Sequence, residues 1–540
     1  MYKDGQIYFG NAGDKSVCII PKMANRHGLI AGATGTGKTT TVKTVAESFS
    51  EAGVPVFIAD VKGDLSGIAV AGDREGASAH PVNFWDVYGE KGMPLRTTIS
   101  EMGPMLLARI LGLNQTQSDI LTIIFKIADD EGLLLIDTKD LRSMLSYVSE
   151  NAAKYSPVYG NIAKASITTI IRSVITLESE GGELFFGEPA IDIREWFTID
   201  PSGKGMIQLL DCQRLIQNPT MYSTLLLWML SEIYETLPEV GDMPKPKMVF
   251  FFDEAHMLFD NANKALLDKI EQIVKLIRSK GVGIFFITQS PKDIPNGVLA
   301  QLGNKIQHAL HAYTPAEQKN IKAAADSFRE NPDFKTVDVL QELKIGEALV
   351  SVLDEEGIPS MVERTQVMLP ISSMKPIDDA GRDMMIKSSV LYVKYYESVD
   401  RDSAYEFLLR LGMEQEEAAR AAAEEAAAAK EAAKAEAEAA KAAEKAKAAA
   451  EKEAAAAKAA AEKAAAKEAE AKAKAKAKEE AAKTAAKKRA VKSVGNSVAG
   501  TVGREVGKTV GSSMGGKFGK TLGGNLGAAL GRGIIGTFLK

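Results

Sequence analysis

Short runs rich in Val, Ile and Phe recur through the first 370 residues, separated by helical patterns and turn signals. The candidate strands are Gly28–Ala31, Val54–Ala59, Met206–Leu210, Met248–Phe252, Gly283–Thr288, Lys305–Leu310 and Ala348–Leu353. A strand buried on both faces needs a continuous apolar run, and alternation with helices indicates a parallel sheet covered on both sides. The expected fold class is α/β. Near its end the pattern changes again, and Gly346–Val367 reads as a hairpin turning at Glu355, Glu356 and Gly357.

Between about Thr97 and Asp200 the strand signals fade and helical patterns follow one another: Pro104–Leu113, Gln117–Asp130, Lys139–Glu150 and Ile162–Leu177. This segment reads as a helical insertion between two strands of the sheet. The division expected along the chain is core 1–96, helical insertion 97–200, core 201–370, helical connector 371–415, spacer 416–490 and tail 491–540.

The spacer contains no apolar side chain larger than alanine beyond residue 417, apart from the methyl of Thr484. Its Glu and Lys side chains fall at helical spacings, as in Glu468/Lys472, so a long Ala/Glu/Lys helix is expected. Straight, it would reach roughly 110 Å at about 1.5 Å per residue. Alanine is too small for coiled-coil seam positions, which favours a single helix. The tail carries glycine every fourth residue from Gly503 to Gly531, preceded by Val506, Val510, Met514, Phe518, Leu522, Leu526 and Leu530. On a helix this is a glycine groove beside an apolar ridge, a surface for self-association or for membrane contact. A Gly-rich coil is the alternative.

Charge narrows the partners. The spacer and tail together carry +9 of a whole-chain −5, which leaves −14 on the globular part. That balance argues against a broad basic surface for nucleic acid and leaves room for a basic pore. Two cysteines, Cys18 and Cys212, exclude a disulfide scaffold and a four-cysteine zinc site. Lys3, Asp4 and Gln6 interrupt any signal-peptide pattern, and no run of about 20 apolar residues occurs. A cytoplasmic location is expected, with the tail as the candidate for peripheral membrane contact.

The chemistry begins at Gly32-Ala33-Thr34-Gly35-Thr36-Gly37-Lys38-Thr39, a complete G-x-x-x-x-G-K-[ST] loop between a candidate strand and the helical pattern Thr40–Phe49. Backbone N–H groups over Gly32, Thr34, Gly35, Thr36, Gly37 and Thr40 would face phosphates. Lys38 would supply a charge to the β- and γ-phosphates, and Thr39 a hydroxyl to Mg²⁺. The strand Met248–Phe252 ends in Asp253-Glu254, the first placed for the Mg²⁺ shell and the second for polarising a water, so ATP hydrolysis is expected. Gln289, after the strand Gly283–Ile287, can sense a γ-phosphate. Arg278 and Lys280 close an amphipathic helix over Ala265–Lys280, where cations also complement the helix dipole. Arg278 is close enough to the sensor strand to serve as a finger toward a neighbouring subunit. Asp60 and Asp211 end two further strands, as site residues or as turn carboxylates. His256 invites comparison with a DEAH-type helicase, but the other helicase motifs are missing and it reads as structural.

Taken in order, Asn25 to Thr39, Asp253-Glu254-Ala255-His256, and Arg278-Ser279-Lys280-Gly281-Val282-Gly283 leading to Thr288-Gln289-Ser290 resemble the HerA branch of the HerA/FtsK ATPases, most closely the HerA-like DUF853 type. The resemblance spans roughly residues 1–370. It implies a RecA-like P-loop NTPase core, usually a hexameric ring with ATP between subunits. It also implies that Lys38 and Thr39 bind phosphate and Mg²⁺, that Asp253 and Glu254 form the Walker B pair, that Gln289 is the sensor and that Arg278 acts in trans. Archaeal HerA carries an N-terminal β-barrel that couples the ring to a nuclease. Only 27 residues precede Gly28, too few for such a barrel, so the nuclease partnership is not expected. DNA as a substrate enters through the resemblance alone. The competing reading is an assembly ATPase, tethered to a membrane or filament by the tail and using ATP as a conformational switch.

Overall fold

The structure is a computed structural model that describes residues 1–260 and 264–480. It divides into two compact units, Met1–Ala423 and Glu424–Lys540.

The first unit is built on one thirteen-stranded sheet. In chain order its strands are β1 (Tyr2–Lys3), β2 (Gln6–Ala12), β3 (Lys15–Ile19), β4 (Gly28–Ala31), β5 (Val56–Asp60), β6 (Val82–Asp86), β7 (Met93–Pro94), β8 (Ile207–Asp211), β9 (Met248–Phe252), β10 (Val282–Thr288), β11 (Asn304–Gln307), β12 (Glu347–Ser351) and β13 (Glu363–Val367). The spatial order is β1-β2-β13-β12-β11-β4-β10-β9-β5-β8-β6-β7, with β3 paired to β2. From β11 to β7 every pairing is parallel; β1, β2, β3, β12 and β13 extend the sheet antiparallel. This is the mainly parallel α/β sheet of a RecA-like P-loop core.

Burial explains the strand composition. All residues of β4, β5, β8, β9 and β10 are buried, because helices cover both faces. Phe251 and Phe285 stack at 5.2 Å between rings, and Phe49 of the helix Lys38–Glu51 meets Phe285 edge-on at 6.0 Å. A Cβ on Gly28 would lie 2.3 Å from the Phe285 ring, so only glycine admits this packing.

Five strands lie outside the candidate runs and the expected hairpin: the two-residue β1 and β7, and the longer β2, β3 and β6. β6 reads Val-Asn-Phe-Trp-Asp and is fully buried; its Asn83 accepts a hydrogen bond from Ser389 Oγ at 2.7 Å, a partner 306 residues away. β2 and β3 form a hairpin whose first strand, β2, also joins β13, so the N-terminal residues extend the main sheet. In the other direction, β11 stops at Gln307 rather than Leu310: Leu310 turns into a satellite core with Ile321, Phe328 and Leu340. The hairpin β12–β13 pairs Glu347 with Gln366 and turns through Asp354–Gly357.

Between β7 and β8 the chain forms helices, among them Ile99–Ile110, Gln115–Glu131, Thr138–Glu150 and Lys164–Leu177. Capping boxes start the first three, from Thr98, Asn114 and Asp137. After β13 the segment 368–375 lies along the helix Lys38–Glu51: Glu47 accepts from Ile371 N at 2.7 Å and Ser372 N at 3.2 Å, and Lys43 donates to Ser373 O.

The long helix runs Ala404–Glu480, and the residues of the second unit whose burial is described are all exposed. No described helix is long and apolar enough to cross a membrane. The glycine-zipper tail 491–540 and the end of the spacer lie outside the described residues.

Candidate functional site

Because β4 to β10 and β5, β8 and β9 are parallel, their C-terminal ends share one edge of the sheet, where open α/β sheets bind ligands. The loop Gly32–Thr39 leaves β4 at this edge. Gly32 N donates to Thr288 O at 3.3 Å and Ala33 N to Ala309 O at 2.9 Å, so both neighbouring strands anchor the loop's first residues. A Cβ on Gly32 would lie 2.5 Å from that of His308. Thr34 and Gly35 are exposed at the tip, while the buried Thr36 hydroxyl is used internally, donating to Ala33 O at 2.7 Å.

Gly37, at φ +110°, turns the chain into the helix Lys38–Glu51 with no side-chain cap. The first-turn N–H groups of that helix, including those of Thr39 and Thr40, have no intrahelical partner, and the helix dipole adds positive potential there. Lys38 Nζ folds back to donate to Gly32 O at 2.5 Å and Ala33 O at 3.1 Å. Burial pushes its pKa down, as does the neighbouring Lys62 charge, while Glu254 and Asp253 oppose the shift.

Asp253 and Glu254 follow β9. Asp253 lines one small cavity with Lys38, Thr39 and Lys62. Burial first, and then the adjacent Glu254 carboxylate, push the Asp253 pKa up to about 6. Its Oδ1 accepts Glu254 N at 2.9 Å, and Tyr222 Oη donates to its backbone oxygen at 2.5 Å. Glu254 adopts φ +47°, ψ +45°, a left-handed conformation that costs a non-glycine residue about 1 kcal/mol or more. Its Oε2 is buried, accepts no hydrogen bond from any described residue, and lies 3.4 Å from His256 Nδ1.

Gln289 follows β10, whose Thr288 is in register with Ala31, and is exposed beside the start of the phosphate loop. Arg278 stands elsewhere: it precedes β10, at the opposite edge of the sheet, roughly 20 Å away across seven strand residues. Arg278 is therefore not part of the site formed by its own subunit. Asp60 is a turn carboxylate, accepting Gly63 N at 2.7 Å and Leu65 N at 3.1 Å; burial, then Asp64, raise its pKa to about 7. Asp211 is paired with the buried Arg382 at 3.2 Å.

The sequence reading missed His308. Its Nδ1 lies 2.9 Å from the carbonyl of Glu347 and so carries the proton, leaving Nε2 to accept from the Thr41 hydroxyl at 2.9 Å. A histidine directly after a strand that neighbours the phosphate loop was the only signal available.

A P-loop, a strand-end carboxylate pair and a polar residue on the adjacent strand define a P-loop nucleotide-binding protein of the RecA-like kind. The sequence profile of the family Helicase HerA-like C-terminal matches residues 8–521, and the chain belongs to that family. Probable helicase MJ1565 of Methanocaldococcus jannaschii is 21% identical over 341 residues, 61% of this chain and 60% of its own length. The DNA double-strand break repair helicase HerA of Sulfolobus acidocaldarius is 30% identical over 99 residues, 18% of this chain and 19% of its own length. The matches thus span less than two thirds of those relatives. Among solved structures, the bacterial conjugative coupling protein TrwB is 14% identical, with 70% of this chain and 92% of that chain covered and a TM-score of 0.48. VirB4 of Thermoanaerobacter pseudethanolicus is 15% identical, with 68% and 97% covered and a TM-score of 0.48.

Proposed function

We propose that the protein is an ATP-hydrolysing motor of the HerA type, working as a hexameric ring that moves along DNA. In this reading the backbone of Gly32–Thr40 and the Lys38 ammonium bind the phosphates of ATP. The hydroxyl of Thr39 and the carboxylate of Asp253 are hard oxygen donors on one cavity, a set suited to Mg²⁺. Bound Mg²⁺ neutralises phosphate charge during transfer. Asp253, held up near 6 by burial and by Glu254, gives up its proton to serve there.

The observation that carries hydrolysis is Glu254 Oε2: a buried carboxylate oxygen that accepts no hydrogen bond among the described residues, 3.4 Å from His256 Nδ1, next to Asp253 and on a strained backbone. Such an acceptor suits the orientation of an attacking water. Gln289, at the end of the adjacent strand, would contact the γ-phosphate, and Arg278, on the far edge, would reach only a neighbouring subunit's nucleotide. DNA as the track rests on the family and on what its relatives are called.

The test is ATP turnover by the full chain with Mg²⁺, with and without double-stranded DNA. Turnover that Lys38→Ala abolishes and DNA stimulates is expected. Turnover indifferent to DNA would remove the translocase part and favour the switch-type assembly ATPase. Absence of Mg²⁺-dependent turnover would overturn the reading.

A further inference from the structure

Two charged side chains of the phosphate cavity, Lys62 and Asp64, have no part in the roles above, and Lys62 is the cation of the two. Lys62 follows β5 and lines the same cavity as Lys38, Thr39 and Asp253, yet it belongs to neither the phosphate loop nor the strand-end carboxylate pair. It is exposed, and its ammonium makes no salt bridge or hydrogen bond with the described residues.

The turn that carries Lys62 is held from several sides. Asp60 Oδ1 accepts Gly63 N at 2.7 Å and Oδ2 accepts Leu65 N at 3.1 Å, so one carboxylate closes both ends of the turn. Ser66 Oγ donates to Gly63 O at 3.1 Å. Gly63, at φ +77°, is backed by Gln213: a Cβ there would lie 1.6 Å from Gln213 Nε2. Gln213 is itself held by Lys91 Nζ at 3.0 Å and, through its N–H, by Asp211 Oδ1 at 3.1 Å. A surface loop whose task is to expose a solvated lysine needs none of this.

We propose that Lys62 is a second phosphate-binding lysine that acts on the terminal phosphate of the nucleotide bound by its own subunit. The location within the cavity gives the reason. In the proposed reading Lys38 marks where the β- and γ-phosphates lie and Asp253 and Thr39 the Mg²⁺ side, and Lys62, which follows β5, lines the same cavity. Its charge disfavours the Lys38 ammonium and favours the Asp253 carboxylate, the latter more than Lys38 itself does. Lys38 and Lys62, two cations lining one cavity, repel; an anion bound there offsets that repulsion, and negative charge accumulating on a terminal phosphate strengthens the attraction. Asp60 then acts as a positioning residue, setting the turn that aims Lys62. This proposal rests on the nucleotide-binding reading of the cavity.

The experiment compares Lys62→Ala, Lys62→Arg and Asp60→Asn with wild type, each checked for folding by thermal melt. Affinities for ADP and for a non-hydrolysable ATP analogue, both with Mg²⁺, are measured beside turnover. Lys62→Ala should leave ADP affinity within about twofold, lower analogue affinity, and lower kcat on the order of a hundredfold, as loss of one positioned donor does. Lys62→Arg should restore part of kcat. Asp60→Asn keeps an acceptor for Gly63 N–H but loses the one for Leu65 N–H, and should shift the ratio of analogue to ADP affinity in the same direction. Unchanged analogue affinity and turnover in Lys62→Ala would overturn the proposal, as would equal losses for ADP and the analogue. If wild type binds both nucleotides without hydrolysing ATP, the motor reading fails while the affinity ratio still decides the role of Lys62.

Discussion

His308 Nε2 accepts a hydrogen bond from Thr41 Oγ1 at 2.9 Å, tying the strand behind the phosphate loop to the first turns of the helix that the loop opens. Burial holds the His308 pKa near 4, so the ring is neutral when folded. The unfolded chain protonates this histidine near 6.5, so between about pH 6.5 and 4 it binds a proton that the folded state refuses, and stability falls as pH falls. His27 and His80, also held near 4, act in the same direction, whereas Asp60 and Asp253, raised to about 7 and 6, act in the opposite one. The total slope is thus a difference, and a variant isolates one part of it. The stability advantage of wild type over His308→Gln should shrink by about 2–3 kcal/mol from pH 7 to pH 4.5 in urea titrations. A constant advantage would show that His308 titrates normally.

The strain at Glu254 predicts a separation of stability from activity. Glu254→Gly relieves a left-handed non-glycine residue and should raise stability by about 1 kcal/mol while abolishing turnover. Glu254→Gln should retain nucleotide binding and lose turnover, whereas Lys38→Ala should lose binding. Calorimetric nucleotide titrations of both variants check this, and equal loss of affinity in the two would contradict the division of roles.

The segment 368–375 depends on Glu47. This carboxylate is fully buried; burial raises its pKa, and hydrogen bonds from Ser372 and Ile371 partly restore it. Glu47→Ala leaves the N–H groups of Ile371 and Ser372 unpaired beside the buried Lys43, and should cost about 2–3 kcal/mol. Denaturation measures the loss, and proteolysis should begin within 368–375 in the variant.

Arg278 predicts a behaviour of mixtures. Because it lies on the far edge of the sheet from the phosphate loop, Arg278 in the proposed ring would act across subunits, so Arg278→Ala subunits mixed with Lys38→Ala subunits should recover part of the ATPase activity. No recovery in rings verified by light scattering would remove the trans role.

The Mg²⁺ side of the site predicts a pH dependence of binding. In the proposed role as a Mg²⁺ ligand, Asp253, with its pKa near 6, would have to lose a proton before holding the cation, so Mg²⁺-dependent nucleotide affinity should weaken as pH falls below about 6. Asp253→Asn should abolish that pH dependence together with most of the Mg²⁺ effect.

What the sequence by itself determined is what is encoded locally. Gly32–Thr39 announces its backbone because glycine and the Lys-Thr pair leave few alternatives at that spacing, and Met248–Phe252 followed by two acids is legible because a doubly buried strand must be apolar throughout. The helix face of Leu266, Ile270, Ile273, Val274 and Ile277 is buried as its periodicity indicates. Tertiary structure decided whatever depends on a distant partner. Asn83 and Asp86 break the apolar run of β6, and they can be buried there because Ser389 satisfies one and the N–H groups of Tyr88, Glu90 and Lys91 satisfy the other. Asp60 became a turn carboxylate, His308 a clamp on the P-loop helix, Lys62 a wall of the phosphate cavity and Arg278 a resident of the opposite edge. A buried polar group is tolerated only when a hydrogen-bond partner arrives; Asp60 and Asp86 find theirs in the turn that follows each strand, whereas Asn83 and His308 take theirs from 306 and 267 residues away, where no local pattern can record them.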